Sequence, residues 1–359
     1  MLRRWIGLTV LIASRICAAS AIALSRILNK VWMAKPFDPR PLMAGVKKRF
    51  LLSEERFTFV VFGDTELKPG SERVFHFAEQ LAPDFMIHLG DLVHRGADVL
   101  TRDWDLLAEQ HGRLFRRIPF WPVIGNHEFR GNLKWANGSR FKQFFGLDRD
   151  YYRFDCGRFR FIILSWSFTE QITNGGVSHS PEMDWLLDAL DSARGMEIIL
   201  CLHRGIHTIG RDIPPVPELE DLCRQYRVRL VFSGHDHAYY RTRRDGVTYI
   251  TSGLGGTRLH PLNGIGNAIQ GDVYLGKDPN DGQMVWCRAG QDLETPFDST
   301  PNVVTCVSVE NHHLTLHTLS LNGVEIDGFT LDLSQSEEHQ PSPFESSICE
   351  EGHVLVSCP

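Results

Sequence analysis

The sequence predicts an α/β fold, because short apolar runs typical of buried strands alternate with stretches of helical periodicity along much of the chain. Five of these runs are followed at once by residues with carboxylate, amide or imidazole side chains, which can bind a ligand. The five runs are residues 57–62, 85–89, 120–124, 198–202 and 229–232. In α/β folds the loops at the carboxyl ends of the strands converge on one crevice, so we expect a single site there.

The helices between these strands are predicted from capping signals and apolar periodicity. The predicted ranges are 71–81, 101–115, 139–145, 180–194 and 217–226. The fourth range has the clearest signals, because Ser180 can cap it and Pro181 suits its first position. Pro119 and Pro122 restrict the third apolar run to a sheet edge or a short strand.

The second half of the chain adds strands of two kinds. Residues 151–155 and 158–166 are predicted to form a hairpin around Cys156-Gly157. From Tyr239 the pattern is all-β, with predicted strands 239–243, 247–252, 303–310, 313–319 and 325–333. Residues 259–300 are polar, glycine-rich and unpatterned, which predicts a long loop near the mouth of the site.

The composition is that of an ordinary globular enzyme, with 42% hydrophobic and 23% charged residues among 359. There are 44 acidic residues against 38 Lys and Arg, so the net charge is −6 with His neutral. This balance argues against a surface that binds polyanions, and we expect no nucleic-acid partner.

The termini are predicted to lie outside the folded domain. We divide the chain into a leader (1–34), a linker (35–52), a folded domain (53–333) and a disordered tail (334–359). Within the leader, residues 5–24 form an apolar stretch that fits a secretory signal peptide or a membrane anchor. We therefore expect an exported or membrane-anchored protein, with possible membrane association through residues 5–24. Targeting to an organelle is the alternative.

Six residues at the strand ends carry carboxylate, amide or imidazole groups, and together they predict a centre for two metal ions. The six are Asp64, Asp91, Asn126, His203, His235 and His237. Two neighbouring cations need a ligand that can bridge them, and a carboxylate oxygen does so, a role that we assign to Asp91.

The other five residues divide between the two ions. Asn126, His203 and His235 would complete one coordination sphere, and Asp64 with His237 would hold the other ion. His235 and His237 are two residues apart, so extended backbone puts both side chains on one face and lets one turn serve both ions.

Nitrogen and oxygen ligands without thiolate suit Fe, Mn or Zn, as divalent or trivalent ions, and the sequence does not choose among them. The predicted reaction is hydrolysis of a phosphoric ester by a hydroxide that bridges the two metals. His127 lies next to a predicted ligand without being needed as one, so we assign it the role of proton donor to the leaving group.

These motifs resemble the calcineurin-like metallophosphoesterase superfamily. The residues that carry the resemblance are Gly63-Asp64, Gly90-Asp91, Gly125-Asn126-His127-Glu128, His203 and Gly234-His235-Asp236-His237. The last motif, with Ala238-Tyr239 after it, is similar to the purple acid phosphatase branch. The resemblance implies a four-layer αββα sandwich of two mixed β-sheets with the dimetal site at the sheet edges.

The sequence departs from this family at the first metal. The commonest first motif is Asp-x-His, and here the position of that His is Glu66. The purple acid phosphatase branch instead places a Tyr three residues after the bridging Asp, and here that residue is His94. Either Glu66 or His94 is therefore a substitute ligand, with a slight preference for Glu66, or the first metal is held weakly.

Arg95, Arg130 and His207 lie near the motifs and are candidates for contact with a small-molecule phosphate ester. The leading hypothesis is a phosphomonoesterase. The alternatives are a phosphodiesterase that acts on cyclic nucleotides or phospholipid head groups, and a non-catalytic binding protein with an impaired first metal site.

Overall fold

The computed structural model describes residue 37 and residues 56–98, 101–131, 138–173, 180–210, 216–288, 290–297 and 301–334. In chain order its strands are β1 (Arg56–Phe62), β2 (Phe85–His88), β3 (Phe120–Pro122), β4 (Tyr152–Cys156), β5 (Phe159–Ile163), β6 (Glu197–Arg204), β7 (Leu230–Gly234), β8 (Tyr239–Arg244), β9 (Val247–Ser252), β10 (Val273–Lys277), β11 (Met284–Arg288), β12 (Gln291–Leu293), β13 (Val303–Glu310), β14 (His313–Ser320) and β15 (Glu325–Asp332). The helices are α1 (Ser71–Gln80), α2 (Asp103–Phe115), α3 (Ser139–Phe145), α4 (Trp166–Thr173), α5 (Pro181–Asp191) and α6 (Pro217–Gln225).

The strands form two mixed sheets. The first has the order β15-β14-β13-β1-β2-β3, and the second has the order β12-β11-β10-β8-β9-β7-β6-β5-β4. In the first sheet β1, β2 and β3 are parallel, and in the second β5, β6, β7 and β9 are parallel. Strands β1, β2, β6 and β7, which precede predicted site residues, therefore lie inside the two sheets. Strand β3, which ends at Pro122 and is preceded by Pro119, is an edge strand, as expected for a strand with proline.

Aromatic side chains fill the space between the sheets. Phe59 and Phe85 of the first sheet stack with ring centroids 5.1 Å apart. Phe161 of the second sheet meets Phe59 edge-to-face at 5.4 Å. All three are buried, and such pairs add to the stabilisation that their buried area provides.

Helices cover the outer face of each sheet. On the first sheet, Trp104 of α2 and Phe145 of α3 pack in one buried cluster with Phe62 of β1. On the second, Leu186 of α5 and Leu219 of α6 pack in another. The order of layers is helix, sheet, sheet, helix, so the predicted αββα sandwich is confirmed.

The predicted loop at 259–300 is wrong over much of its length. It contains β10, β11 and β12, which extend the second sheet beyond β8. These strands have only three to five residues each and stand among many glycines. Runs this short give a weak alternation signal, so the sequence did not reveal them.

The predicted strand 158–166 is also too long. Strand β5 ends at Ile163, and Trp166 begins helix α4. The side chain of Ser165 explains the change, because its Oγ accepts a hydrogen bond from the amide of Phe168 at 3.1 Å and so caps the helix.

The described residues contain no helix with the length and apolar character to cross a membrane. The predicted leader (1–34), the stretch 5–24, most of the linker and the tail from residue 335 lie outside the described residues. Phe37, within the predicted linker, is buried, and its ring centroid lies 5.0 Å from that of Phe144.

Candidate metal centre

The loops after the parallel strands of both sheets meet at one edge of the sandwich. The amide of Asp64 after β1 donates to the carbonyl of Gly90 after β2 at 3.0 Å. The amide of His235 after β7 donates to the carboxylate of Asp64 at 3.0 Å, although the two residues are 171 positions apart. Hydrogen bonds donated by backbone amides therefore fix the relative position of three of the predicted site segments.

Three of the predicted ligands turn the chain sharply at these strand ends. Asp64, Asp91 and His235 have φ of 60°, 55° and 68°. This left-handed conformation costs an L-residue roughly 1–2 kcal/mol, and it persists where surrounding contacts impose it. The turns direct both carboxylates and one imidazole toward the same point.

The first group of side chains consists of Asp91, Asn126, His203 and His235. The Oδ1 of Asn126 lies 3.1 Å from Nε2 of His203 and 2.9 Å from Nδ1 of His235. Those two ring nitrogens are 3.2 Å apart, and Nε2 of His203 is 3.3 Å from Oδ2 of Asp91. Four potential ligand atoms therefore face one another in a buried space.

The second group lies beside the first and contains Glu66, His94 and His127. Nδ1 of His94 is 2.5 Å from Oε2 of Glu66, and Nδ1 of His127 is 3.4 Å from the same oxygen. His237 lies between this group and Asp64, since its Nε2 is 3.7 Å from both Oδ1 of Asp64 and Oε1 of Glu66. The two oxygens of Glu66 thus face different imidazoles.

The orientation of His203 is fixed by the backbone. Its Nδ1 lies 2.7 Å from the carbonyl oxygen of Leu89, so this nitrogen carries the hydrogen and donates it. In the neutral ring Nε2 then presents a lone pair to Asn126 Oδ1, which is also an acceptor. Two acceptors that face each other at this distance call for a shared cation or proton.

Glu128 holds the loops of the two neighbouring strands together. Its buried carboxylate accepts hydrogen bonds from the amides of Gly125, Asp91 and Leu92 at 2.7, 3.0 and 2.8 Å. Burial raises the pKa of Glu128 to about 7. Glu128 belongs to a predicted motif but was assigned no role, although its place directly after Asn126 and His127 was the available signal.

Two motif glycines leave space for the ligands. A Cβ at Gly125 would lie 2.2 Å from Oδ1 of Asp91, and one at Gly90 would lie 2.5 Å from Nδ1 of His203. Gly90 also has φ of +96°, which favours glycine. The glycines before the predicted ligands are therefore required by close packing around the centre.

The electrostatics of the centre favour positive charge. Burial raises the pKa of Asp64 well above its usual value, and the carboxylates of Asp91 and Glu66 add to this effect. Burial alone would lower the pKa of His203, but the Asp91 carboxylate outweighs it and raises that pKa to about 10. The field that holds a proton on His203 would equally stabilise a cation between these side chains.

The donor set fits two metal ions. Ligand atoms of Asp91, His203 and His235 lie within 4.8 Å of one another, and so do those of Glu66, His94 and His127. Imidazole nitrogen with carboxylate and amide oxygen suits Fe, Mn or Zn. The structure brings the six predicted ligands to one place, and their roles as ligands stay predictions.

The candidates for contact with the phosphate ester, Arg95, Arg130 and His207, lie outside the two groups of side chains. Arg95 pairs with Asp98 through its Nη2 at 3.0 Å. His207 has Nε2 3.1 Å from Oε1 of Glu220 on α6, and its ring meets that of Tyr249 edge-to-face. Arg130 is exposed. None of these contacts joins the two groups described above.

Two residues that were not predicted from the sequence contact the predicted ligands. The ring of His260 stacks on that of His237 at 3.9 Å, and its Nδ1 accepts a hydrogen bond from the His237 amide. Trp166 lies with its ring centroid 5.5 Å from that of His203 and 5.1 Å from that of His235. His260 lay in the predicted loop and Trp166 in a predicted strand, so neither carried a visible signal.

Comparison with known proteins gives a family match. A sequence profile described as calcineurin-like phosphoesterase matches residues 57–239. The chain is also similar to purple acid phosphatase 23 of Arabidopsis thaliana, with 28% identity over 217 residues that make up 53% of this chain and 42% of the plant protein. The chain therefore matches less than half of the length of the plant protein.

Two further similarities differ in what they support. Tartrate-resistant acid phosphatase type 5 of Rattus norvegicus is 26% identical over 239 residues, 55% of this chain and 72% of the rat protein. A solved structure described as GAP50, the anchor in the inner membrane complex of Plasmodium, aligns with a TM-score of 0.56 at 16% identity. It covers 77% of this chain and 89% of that one, and at this identity the likeness concerns the fold alone.

Proposed function

The chain belongs to the calcineurin-like phosphoesterase family, and we propose that it hydrolyses phosphomonoesters at a centre of two metal ions. The family match and the purple acid phosphatase relatives support metal-dependent hydrolysis of phosphoric esters. The choice of monoesters is supported by those relatives, which are acid phosphatases by name. It also agrees with the resemblance of the motifs around His203 and His235 to the purple acid phosphatase branch.

The observation that carries the proposal is the meeting of Asp91, Asn126, His203 and His235 in one buried space. Nitrogen and oxygen atoms of these side chains approach to 2.9–3.3 Å. Polar groups buried so densely are expensive unless a charge of the opposite sign satisfies them. A metal ion coordinated by these atoms is the simplest such charge.

When bound, the two metal ions would acidify a water molecule and neutralise the charge that develops on the phosphoryl oxygens. His127 is placed to donate a proton to the leaving group. Its Nδ1 faces the carbonyl oxygen of His94 at 3.0 Å, and its Nε2 lies 3.9 Å from Oδ2 of Asp91. The ring therefore presents Nε2 to the site. The side chain of His127 is 14% exposed, so a bound ester can reach it.

We propose Glu66 as the substitute ligand of the first metal. Its Oε1 lies beside His237, while Oε2 is occupied by His94 and is 3.5 Å from Nζ of Lys68. Oε1 is therefore the oxygen free to face the first metal together with Asp64 and His237. In this arrangement His94 orients Glu66.

The test of function is a substrate screen on full-length protein of measured metal content. We expect two metal equivalents per chain and faster hydrolysis of p-nitrophenyl phosphate than of bis(p-nitrophenyl) phosphate. A reversed preference would replace the monoesterase with a phosphodiesterase. Two bound equivalents without hydrolysis of either ester, or a chain that takes up a single metal, would favour a non-catalytic binding protein.

We also propose that the leader directs export or anchors the protein at a membrane through residues 5–24, which lie outside the described residues. Cell fractionation of full-length protein and of a chain that starts at residue 35 is the test. If the two distribute identically between membrane, secreted and soluble fractions, the leader has neither role.

A further inference from the structure

Trp166 lies against His203 and His235, which are predicted to bind the same metal ion. Its ring is inclined at 65° to that of His203 and at 47° to that of His235, with centroids 5.5 and 5.1 Å away. His203 and His235 are buried, whereas Trp166 is partly exposed. One face or edge of the indole therefore borders both the predicted ligands and solvent.

The position of Trp166 is fixed by the residue before it. The buried carboxylate of Glu182 on α5 accepts hydrogen bonds from the amide and the hydroxyl of Ser165 at 2.8 and 2.6 Å. One turn later, Oγ1 of Thr169 donates to the carbonyl of Trp166 at 3.0 Å. The start of α4 is thus anchored to α5, and the indole has a defined place beside the centre.

The indole also contacts residues from both halves of the sandwich. Trp166 packs against the apolar cluster beneath the helices of the first sheet, although its own helix follows β5 of the second sheet. A large flat side chain anchored on both sides loses little further freedom when a ligand arrives, which favours its use as a binding surface.

We infer that Trp166 is a specificity-determining residue, whose ring forms one wall of the substrate pocket and favours phosphoesters that carry a flat aromatic group. The inference rests on the proposed function, because it places the ester at the centre beside His203 and His235. An aromatic group of the ester would pack against the indole in an offset or edge-to-face arrangement. An alkyl group of similar charge offers no such contact.

The expected preference is modest. One aromatic pair contributes about two- to tenfold in affinity beyond the area that it buries. Trp166→Leu should remove this preference, and Trp166→Phe should keep part of it because a ring remains. Trp185 provides the matched control: it is a partly buried tryptophan on α5 whose ring lies 4.9 Å from that of Tyr151, among residues of a different cluster.

The experiment is isothermal titration of full-length, metal-loaded protein with phenylphosphonate and with methylphosphonate, neither of which can be hydrolysed. We expect wild type and Trp185→Leu to bind the phenyl compound about two- to tenfold more tightly. Trp166→Leu should bind both alike, with the affinity for methylphosphonate changed less than about twofold. Thermal unfolding of each variant checks that it is folded.

Several results would overturn the inference: an unchanged preference in Trp166→Leu, equal binding of both compounds by wild type, no binding by wild type, or loss of the preference in Trp185→Leu. Failure of the proposed function would give a different experimental result. A protein that binds the two phosphonates with the expected preference, yet leaves p-nitrophenyl phosphate intact, would refute hydrolysis while the role of Trp166 stands.

Discussion

At the scale of single residues, the centre depends on backbone conformations that the sequence does not announce. The six residues are predicted as ligands because they stand where apolar runs end, and this assignment stays a prediction, whereas family membership is confirmed by the matched profile. The left-handed turns at Asp64, Asp91 and His235 could not be predicted, because such φ values come from tertiary contacts rather than from residue type. Those turns decide which atoms meet.

Asp91 is the residue whose loss should affect the most contacts. One of its oxygens accepts from the His127 amide at 2.8 Å, and the other faces His203. We expect Asp91→Ala to abolish metal binding and hydrolysis together, by more than the roughly 10- to 100-fold that loss of an outer partner of a metal site costs. Metal analysis and steady-state kinetics of the same preparation provide the measurement. Retention of two metal equivalents would contradict a bridging role.

The assignment of Glu66 and His94 leads to a second prediction. If Glu66 binds the first metal and His94 only orients it, Glu66→Ala should leave about one metal equivalent per chain. His94→Ala should keep both ions and weaken the first by roughly 10- to 100-fold. Competition with a chelator, followed by metal analysis, measures both effects without a substrate. The reverse order of effects would make His94 the ligand.

His127 should matter in proportion to the difficulty of the leaving group. His127→Ala is expected to keep both metals and to slow alkyl phosphates by roughly 10²- to 10⁴-fold, because an alkoxide needs a proton when it leaves. p-Nitrophenyl phosphate should be affected much less, since its leaving group is stable as an anion. Equal slowing of both substrates would count against His127 as the proton donor.

At the scale of elements, prediction worked where one strong pattern controlled a segment. Ser180 caps α5 as expected, with its Oγ 3.1 Å from the amide of Met183. Helix α4 was missed because the apolar run of β5 continues into it, and the hydrogen bonds of Ser165 that separate the two elements involve Glu182, which is distant in sequence. Contacts between elements, and not local propensity, set this boundary.

The Ser165–Glu182 contact gives a prediction about stability and pH. Burial raises the pKa of Glu182 from 4.5 to about 7. The folded protein therefore binds a proton at Glu182 more tightly than the unfolded chain does. The resulting stabilisation is complete below about pH 4.5 and is lost as pH rises through about 7, with a size on the order of 3 kcal/mol.

Glu182→Gln removes this titration and keeps an acceptor for Ser165. We expect the free energy of unfolding of wild type, relative to the variant, to fall as pH rises from 4.5 to 8. Urea unfolding at a series of pH values measures this difference, and Glu218→Gln on an exposed part of α6 controls for the change in charge. A difference that stays constant with pH would show that Glu182 has an ordinary affinity for protons in the folded state.

At the scale of the whole molecule, the site exists because two sheets are stacked in one relative position. Asp64, Asp91 and Asn126 come from the first sheet, whereas His203 and His235 come from the second. The resemblance to a known family supplied this arrangement before the structure did. Strand patterns alone could not, because nothing local in the sequence indicates which faces of the two sheets meet.

One polar cluster ties the sheets together away from the centre. Asp327 on β15 accepts hydrogen bonds from the hydroxyl of Tyr239 at 2.8 Å and from Nη2 of Arg241 at 3.1 Å, and both donors lie on β8. All three side chains are buried. This buried ion pair therefore helps to set the register between the sheets.

We expect Asp327→Ala to destabilise the protein by about 3–5 kcal/mol, because it leaves the guanidinium of Arg241 buried without its carboxylate. Arg241→Met combined with Asp327→Leu should cost much less, since no buried charge remains unpaired. Urea unfolding measures both, with Glu310→Ala as control: this residue pairs with Arg56 on the surface and should change stability by less than about 1 kcal/mol.

If the double variant were as unstable as Asp327→Ala, the shape of these side chains, and not the compensation of their charges, would hold the sheets in register. In that case the double variant should also lose metal affinity, because the ligands on the two sheets would no longer meet.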